Sequence, residues 1–476
     1  FIPRIKNESR YENCLQYDVD VLRILENGIR EPNSSWPLVS CQNGWHYEFE
    51  NYYNSVAWEF NFVCENSWKG PLTETVYFVG SSLGMLMYGW IGDYLGRYWT
   101  VILSNWFVCL CGMGLGFSNS YVIYTFIRFL MGISTVTTLT SFFVLAMEYV
   151  SKSKRTFIGN FSLGLGIAIA GSIMPALFYV LKDWRLVNHA MYAQVSLTFL
   201  LPFFIHESVR WLLERGQYNK AGKILEKVAK FNGRTLDKNI ILELNSRDNE
   251  NDDEETKKVT SILEFFKTPR LRRHIITMIV LWTLVKVLFE THLRSIKNLE
   301  VHVYYSFALS SLLEFPADLL IIWTMEMFGR RWMSVITLVL SGIPMLIAVY
   351  FEVNEGDALI LMVLSMIGRF CCTMVINVVM QFQFEICPTD LRTRGSGLIL
   401  FVAEFVALLA PLIVFSSSIY SFLPNLIMGV GGVTVGFLAL TLPETSGIEL
   451  PANAKEGEDF GLDQSFFDVP IFRGKS

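Results

Sequence analysis

A short polar signature occurs twice in this chain, each time between two apolar runs. The two copies are GWIGDYLGRYWT, with Asp93, Gly96 and Arg97, and IWTMEMFGRRWM, with Glu326, Gly329, Arg330 and Arg331. Their matching glycines are 233 residues apart. Repetition of loop residues at a fixed period indicates a duplicated structural unit. The signature therefore predicts two similar halves.

Charged residues outside the signature repeat as well. Three pairs share a spacing of 237 residues: Glu148 with Glu385, Arg155 with Arg392, and Glu207 with Glu444. Many transporters are duplicated membrane bundles that hold the substrate between their halves, near the middle of the bilayer. The repeat therefore favours a carrier.

The composition is that of a membrane protein, because 52% of the residues are hydrophobic and only 17% are charged. Eleven apolar stretches are long enough to cross a bilayer. They are residues 72–92, 98–117, 121–147, 157–181, 186–205, 274–293, 303–325, 333–351, 358–384, 396–419 and 423–442. We expect an all-α membrane protein with two six-helix halves, of which eleven spans are visible.

The polar residues 1–70 have the character of an extracellular loop. They contain the disulfide candidates Cys14, Cys41 and Cys64 and the glycosylation sequons at Asn7 and Asn33. An odd number of cysteines suggests a missing stretch, with the first helix absent; a free thiol or an intermolecular disulfide is the alternative. The pairing of the three is left open.

Charge asymmetry predicts the orientation. Residues 1–70 hold six Lys/Arg against ten Asp/Glu, whereas residues 206–273 hold fifteen Lys/Arg. Basic loops stay in the cytoplasm, so the first segment is predicted outside and the second inside. The predicted divisions are a loop at 1–70, transmembrane halves at 71–205 and 274–442, a central cytoplasmic loop at 206–273 and a cytoplasmic tail at 443–476.

Other function classes find little support in the sequence. There is no basic face for nucleic acid, no phosphate-binding glycine loop, no Cys/His metal cluster and no nucleophile–base pair, so we expect neither an enzyme nor a cofactor. The expected partners are a small organic ion and the lipid bilayer, with a monomeric transport unit.

The first copy of the signature, G-x-x-x-D-x-x-G-R, resembles the loop motif of the major facilitator superfamily. Four further segments resemble the organic cation, anion and carnitine transporter family (solute carrier family 22). They are CQNGWHYEF with EFNFVCENSW, ESVRWLLERGQYNKAGKILEKVAKFNG, FFKTPRLRR and LPETSGIELP. The resemblance runs from about Cys14 to Pro451 and implies a multipass plasma-membrane transporter of that family.

The repeated charges are interpreted as gating elements at the cytoplasmic ends of the spans. Asp93 and Arg97 are expected to join Glu148, Arg155, Glu207 and Arg210 in an ion-pair network in one half. Arg330, Glu385, Arg392, Arg394 and Glu444 are expected to form its counterpart. Such networks would form and break as the carrier alternates between states. Static markers of topology are the alternative.

Charged residues inside the membrane are functional candidates by default, because burying a charge is costly. Glu404 is the strongest candidate, since the resemblance implies that an acid at this position accompanies cation transport. Lys286 and Glu290 are one helical turn apart, so they either neutralise each other or Lys286 faces Glu404 or an anionic substrate. Arg128 and Arg369, near the starts of their spans, are expected either to snorkel or to function.

Two further acids and four aromatic residues complete the set of candidates. Glu314 matches an E-x-P feature of the family, and Asp318 follows it one turn later with no assigned role. Aromatic faces attract ammonium groups. The candidate rings for substrate binding are Phe143, Trp282, Phe289 and Phe382.

The predicted function is a facilitated, potential-driven carrier of small organic cations or zwitterions that works by alternating access. One alternative is an organic anion or carnitine-like carrier or exchanger that uses Lys286 and Arg369. The others are a sugar-type carrier, which the charged pocket disfavours, and a transport-inactive family member.

Overall fold

The computed structural model describes residues 14–19, 23, 33, 35–41, 45, 54–150, 155–234, 268–295, 303–354, 356–388, 392–448, 451, 454–462, 464 and 469–470. Side chains at 155, 156, 160, 214, 303, 392–394 and 454 are not described within these ranges. The sequon at Asn7, residues 235–267 of the central loop and the side chains of Arg155, Arg392 and Arg394 therefore lie outside the description.

The described structure is almost entirely helical. In the N-terminal part the helices are α1 (Val56–Glu59), α2 (Lys69–Tyr94), α3 (Arg97–Leu115), α4 (Tyr121–Tyr149), α5 (Arg155–Leu181), α6 (Trp184–Val195), α7 (Leu201–Phe204), α8 (Val209–Glu214) and α9 (Tyr218–Phe231). In the C-terminal part they are α10 (Pro269–Ser295), α11 (Val303–Val353), α12 (Ala358–Ile386), α13 (Arg392–Val406), α14 (Ala410–Phe415), α15 (Leu423–Ala439) and α16 (Ala454–Asp459). A short antiparallel pair, β1 (Leu15–Tyr17) and β2 (Leu38–Ser40), lies near the start.

Helices cover all eleven predicted spans. Seven of the described helices are long and apolar enough to cross a membrane, and Leu423–Ala439 is a shorter apolar helix. The α11 segment contains two of the predicted spans, because Gly329 has non-helical dihedrals (φ 82°) and divides it. The helix over the predicted 186–205 span is interrupted by a 3-10 turn at Ser196–Leu200.

Each half is built around close helix contacts. In the first half α2 packs on α4 so tightly that a Cβ at Gly84 would overlap the carbonyl of Ile133. In the second half α10, α12, α13, α15 and the latter part of α11 surround one apolar core, which includes Met278, Leu338 and Val379. Among the described residues the most extensive contacts between the halves are those of α5 with α11 and of α2 with α13 and α14.

The segment before α2 is fastened to the end of the first half at which α6 begins. Cys14 and Cys64 form a disulfide, and Cys41 is a free cysteine. Trp184 Nε1 donates to Glu59 Oε2 at 2.7 Å, and Arg185 pairs with the same carboxylate. These bonds hold α1 against the start of α6.

Candidate functional site

The central feature of the bundle is a lysine held between two glutamates. Lys286 Nζ lies 2.9 Å from Glu290 Oε1, one turn along α10, and 2.9 Å from Glu404 Oε1 on α13. Lys286 and Glu404 expose only 15% and 6% of their side chains. The two arrangements weighed for Lys286 therefore occur together, since it both neutralises Glu290 and serves as counter-ion to Glu404.

This cluster continues into the other half of the molecule. Arg294 on α10 pairs with Glu290, and its Nη2 lies 3.4 Å from Glu74 Oε2 on α2. Glu74 in turn pairs with Arg128 on α4. A continuous ion-pair chain thus runs from the first half, through α10, to α13 in the second.

A second connection closes the same interface. Ser81 Oγ on α2 donates to Glu404 Oε2 at 3.2 Å, and Thr75 Oγ1 donates to the carbonyl of Leu408 at 3.4 Å. Glu404 is therefore contacted from both halves at once. The contacts of this carboxylate therefore differ between a state in which the halves are in contact and a state in which they are separated.

The ion-pair chain is balanced within each half. The first half contributes Glu74 and Arg128, and the second contributes two cations and two carboxylates, Lys286, Arg294, Glu290 and Glu404. Among the described contacts of this group, separating the halves breaks the Arg294–Glu74 pair, the Ser81 hydrogen bond and the contact of the Arg294 guanidinium with the ring of Phe78. Since removing one partner from a buried ion pair costs about 3–5 kcal/mol, retention of a partner on each side keeps the cost of opening low.

The Arg128–Glu74 pair has a counterpart in the second half. Arg369 on α12 pairs with Glu314 on α11, and the two pairs match at offsets of 241 and 240 residues. Arg369 is 2% exposed, so snorkelling does not describe it. Sequence reasoning missed Glu74, Ser81 and Arg294; the repeat spacing would have found Glu74.

The four candidate aromatic rings differ in their surroundings. Trp282 and Phe382 are buried in the apolar core of the second half, where neither presents a face to a ligand in this conformation. The guanidinium of Arg369 already lies over Phe289, 4.0 Å from its centroid. The ring of Phe143 lies against α5, where a Cβ at Gly159 would be 3.1 Å from it.

The repeated loop residues form a different device from the predicted ion-pair networks. Gly96 (φ 103°) precedes α3, and the carboxylate of Glu207 accepts hydrogen bonds from the backbone N–H groups of Arg97 and Tyr98, at 2.9 and 3.1 Å. A carboxylate here satisfies N–H groups that have no partner within the helix. Glu207 therefore caps the N-terminus of α3, whereas an ion pair with another side chain was predicted for it.

The second half repeats this cap. Gly329 has a positive φ, and Glu444 accepts from the N–H groups of Arg330 and Arg331 at 2.8 and 3.0 Å. In both halves the carboxylate also occupies the space beside the glycine, where a Cβ would overlap it. This explains physically why Gly and Glu recur together.

Part of the expected ion pairing is present at these loops. Arg97 pairs with Asp93 at 3.1 Å, and Arg330 pairs with Glu385 at 3.0 Å. Glu148 Oε2 is buried without a hydrogen-bond partner among the described residues. Arg210 and Glu326 are exposed. The two halves thus differ in how their matching arginines are paired.

Known proteins similar to this chain are membrane transporters. Residues 37–454 match the family described as "Sugar (and other) transporter". Organic cation transporter 1 of Caenorhabditis elegans is 29% identical over 468 residues, which cover 97% of this chain and 79% of that protein. Human organic cation/carnitine transporter 2 is 29% identical over 421 residues, covering 87% and 73%. The carcinine transporter of Drosophila melanogaster is 26% identical, covering 97% and 69%.

Among solved structures, the xylose transporter XylE from E. coli in an inward-open conformation superposes with a TM-score of 0.62 at 16% identity, covering 85% of this chain and 93% of that one. This likeness shows the fold, and the predicted all-α membrane fold is confirmed. The predicted family is confirmed as well: the chain belongs to the sugar (and other) transporter family, as a multipass membrane transporter of the major facilitator superfamily whose relatives include organic cation and carnitine transporters.

Proposed function

We propose that this chain carries small organic cations across the plasma membrane by alternating access. The observation that carries the proposal is Glu404, a buried carboxylate at the interface of the halves whose counter-ion is a lysine of the protein itself. Buried ionisable residues in transporters mark substrate pathways. The ammonium of Lys286 occupies the position that a substrate ammonium would take.

The sharing of Lys286 between two carboxylates favours a cation over an anion. A cationic substrate can take Glu404 while Lys286 keeps Glu290, so every buried charge remains paired. An anion would have to draw Lys286 from both carboxylates and leave Glu404 without a cation. Because an unpaired buried charge is costly, the second exchange is the more expensive one.

The membrane potential is sufficient to drive such a carrier. A monovalent cation gains about 2.3 kcal/mol for every 100 mV of inside-negative potential. That free energy concentrates the cation without coupling to ATP hydrolysis. No covalent step is needed.

Orientation follows from the basic helices after α7. The indole nitrogen of Trp211 on α8 donates to the carbonyl of Asp93 at 3.3 Å, so α8 lies at the same end of the bundle as the first loop signature. Basic segments are retained in the cytoplasm. We place this end and the C-terminus inside the cell, and α1 with the Cys14–Cys64 disulfide outside.

With this orientation the ion-pair chain forms part of an outer gate. Glu74 lies near the beginning of α2 and Arg294 near the end of α10, which are the outer ends of those helices. Opening toward the outside breaks the Arg294–Glu74 pair and frees Glu404 from Ser81. A cation entering from outside then meets Glu404 with only Lys286 as competitor.

The test is uptake of labelled tetraethylammonium in cells, with and without depolarisation, by the unmodified chain and by Glu404→Arg and Glu404→Gln. We expect saturable, potential-dependent uptake that both variants abolish at equal surface expression. The matched control is Glu352→Gln on α11, whose carboxylate accepts from Asn425 at 2.8 Å, outside the ion-pair chain. Unchanged uptake by the Glu404 variants would refute the assignment. Absence of uptake by a surface-expressed parent chain would favour the anion carrier.

A further inference from the structure

A second buried acid lies at the other contact between the halves. Asp318 is on the first part of α11, one turn after Glu314, and is 2% exposed. Asn377 on α12 donates to its Oδ1. The same amide nitrogen donates to the carbonyl of Thr373 at 3.2 Å, which fixes the amide as the donor toward Asp318.

Charges around Asp318 do not balance. Arg369 pairs with Glu314, and its other amine donates to the carbonyl of Phe289 at 3.1 Å. Among the residues that the structure describes, no nitrogen of Lys, Arg or His lies within 4.0 Å of the Asp318 carboxylate. The group therefore contains two carboxyls and one guanidinium.

Among the residues whose side chains are described, the neighbouring helices supply no further charge to this group. α12 contributes Arg369 and Asn377, and α11 contributes Glu314. The described face of α5 opposite Asp318 consists of glycine and apolar residues, and α15 contains no ionisable residue. An ionised carboxylate buried without a cation costs several kcal/mol, so such a group takes up a proton instead.

Asp318 faces the part of the interface that has to open. Its Oδ2 points at Gly164 on α5, where a Cβ would overlap it. On the same contact, Phe315 and Phe161 pack edge to face, with centroids 5.8 Å apart. α5 and α11 belong to opposite halves, so alternating access separates these surfaces and admits water to the carboxyl.

We propose that Asp318 is a proton-binding site linked to the contact between α5 and α11. In the closed contact its carboxyl is neutral; when the contact opens, the carboxyl is hydrated and releases the proton to water. A lower pH therefore favours the closed contact. For one linked proton, the closed-to-open ratio changes by up to tenfold for each pH unit. The proposed cation transport does not include this site and is not required for it.

The test measures the separation of α5 and α11 as a function of pH, without substrate. The labelled chains carry Cys41→Ser, which removes the native thiol expected to react. Nitroxide labels are placed at exposed positions near both ends of the contact, on Phe157→Cys with Met327→Cys and on Val180→Cys with Leu309→Cys. Distances are measured by pulsed electron paramagnetic resonance in the full chain from pH 5.5 to 8.5. We expect the longer-distance population of at least one pair to grow as pH rises.

Asp318→Asn mimics the neutral acid and should remove this pH dependence, leaving the short distance at every pH. Glu352→Gln, the matched control with an Asn partner but no place at the contact, should retain it. Distances that do not change with pH in the parent chain, or a pH dependence that persists in Asp318→Asn, would overturn the proposal.

A measurement on the unmutated chain covers the case in which Asp318→Asn does not fold. Infrared difference spectra between acidic and basic pH, with aspartate carbons isotopically labelled, detect a protonated aspartic acid by its carbonyl band. A band that disappears together with the short distance supports the site, and its absence at all pH values contradicts it. Because no substrate is present, failure of tetraethylammonium uptake would not affect either result.

Discussion

Replacement of Lys286 by Ala tests whether the lysine ammonium holds the place of a substrate cation beside Glu404. The substitution removes the cation shared by Glu290 and Glu404, both 2.9 Å away. Glu290 keeps Arg294, whereas Glu404 keeps only the Ser81 hydrogen bond among its described contacts. Loss of one partner from a buried ion pair costs about 3–5 kcal/mol.

This cost can be expressed as a melting temperature. With about 2.1 cal/mol/K of unfolding entropy per residue, a 476-residue chain loses about 1 °C for each kcal/mol. We therefore expect Lys286→Ala to melt about 3–5 °C below the parent chain in detergent. Adding Glu404→Gln removes the bare carboxylate and should restore part of the loss.

In Lys286→Ala with Glu404 intact, an organic cation should also restore stability, because it can take the vacated place beside Glu404. At a concentration of about 100 times its Kd, a ligand adds about 2.7 kcal/mol. Since no lysine competes, tetraethylammonium should stabilise Lys286→Ala at lower concentrations than it needs for the parent chain. Thermal unfolding followed by tryptophan fluorescence over a ligand titration measures this difference.

Lys69→Ala is the control, because Lys69 lies over the ring of Tyr121 at 5.4 Å, outside the ion-pair chain. It should melt close to the parent temperature and respond to tetraethylammonium as the parent does. If Lys286→Ala also melts within about 1 °C of the parent, the shift that corresponds to about 1 kcal/mol, or if the ligand stabilises both chains equally, then Lys286 does not hold the place of a substrate cation.

Three further outcomes are expected. Gly329→Ala should lower the melting temperature or the yield of folded protein, because its φ is 82° and a Cβ would overlap the capping carboxylate; Gly89→Ala, with no atom within 4 Å of the added Cβ, should not. The hydrogen bond from Arg185 lowers the pKa of Glu59, so the stability that this pair contributes is present at neutral pH and is lost as pH falls through that lowered pKa. The protection factors of the α1 amides in hydrogen exchange, which are corrected for the intrinsic pH dependence of exchange, should fall on acidification, and Arg185→Ala should remove most of that response. In unreduced protein a maleimide should label Cys41, whereas the disulfide-bonded cysteines should react only after reduction.

Periodic and duplicated features were predictable from the sequence. Apolar stretches of sufficient length predict the helices. In the bilayer core a single span can form all its backbone hydrogen bonds internally only as a helix. The repeat of Gly96 and Gly329 indicated two halves and located both loops. Its interpretation was less successful, since Glu207 and Glu444 cap helices where side-chain ion pairs were expected.

Pairings between distant residues were not predictable in the same way. Lys286 and Glu290 are one turn apart, so their contact follows from helical geometry alone. Contacts of Glu404 with Lys286 and Ser81 depend on how three helices are placed, and one sequence contains no record of that placement. Arg294 was missed for this reason, whereas Glu74 was missed although its repeat spacing with Glu314 can be read from the sequence.

The sequence by itself determined the membrane location, the duplicated helical fold and the family, because these depend on residue order along single segments. Only the tertiary structure decided which buried charges are neutralised and by what. In that structure Glu404 is paired with Lys286, whereas Asp318 accepts a hydrogen bond from the amide of Asn377. The free energy of a buried charge depends on the groups within a few ångströms of it, and those groups come from helices that are far apart in the chain.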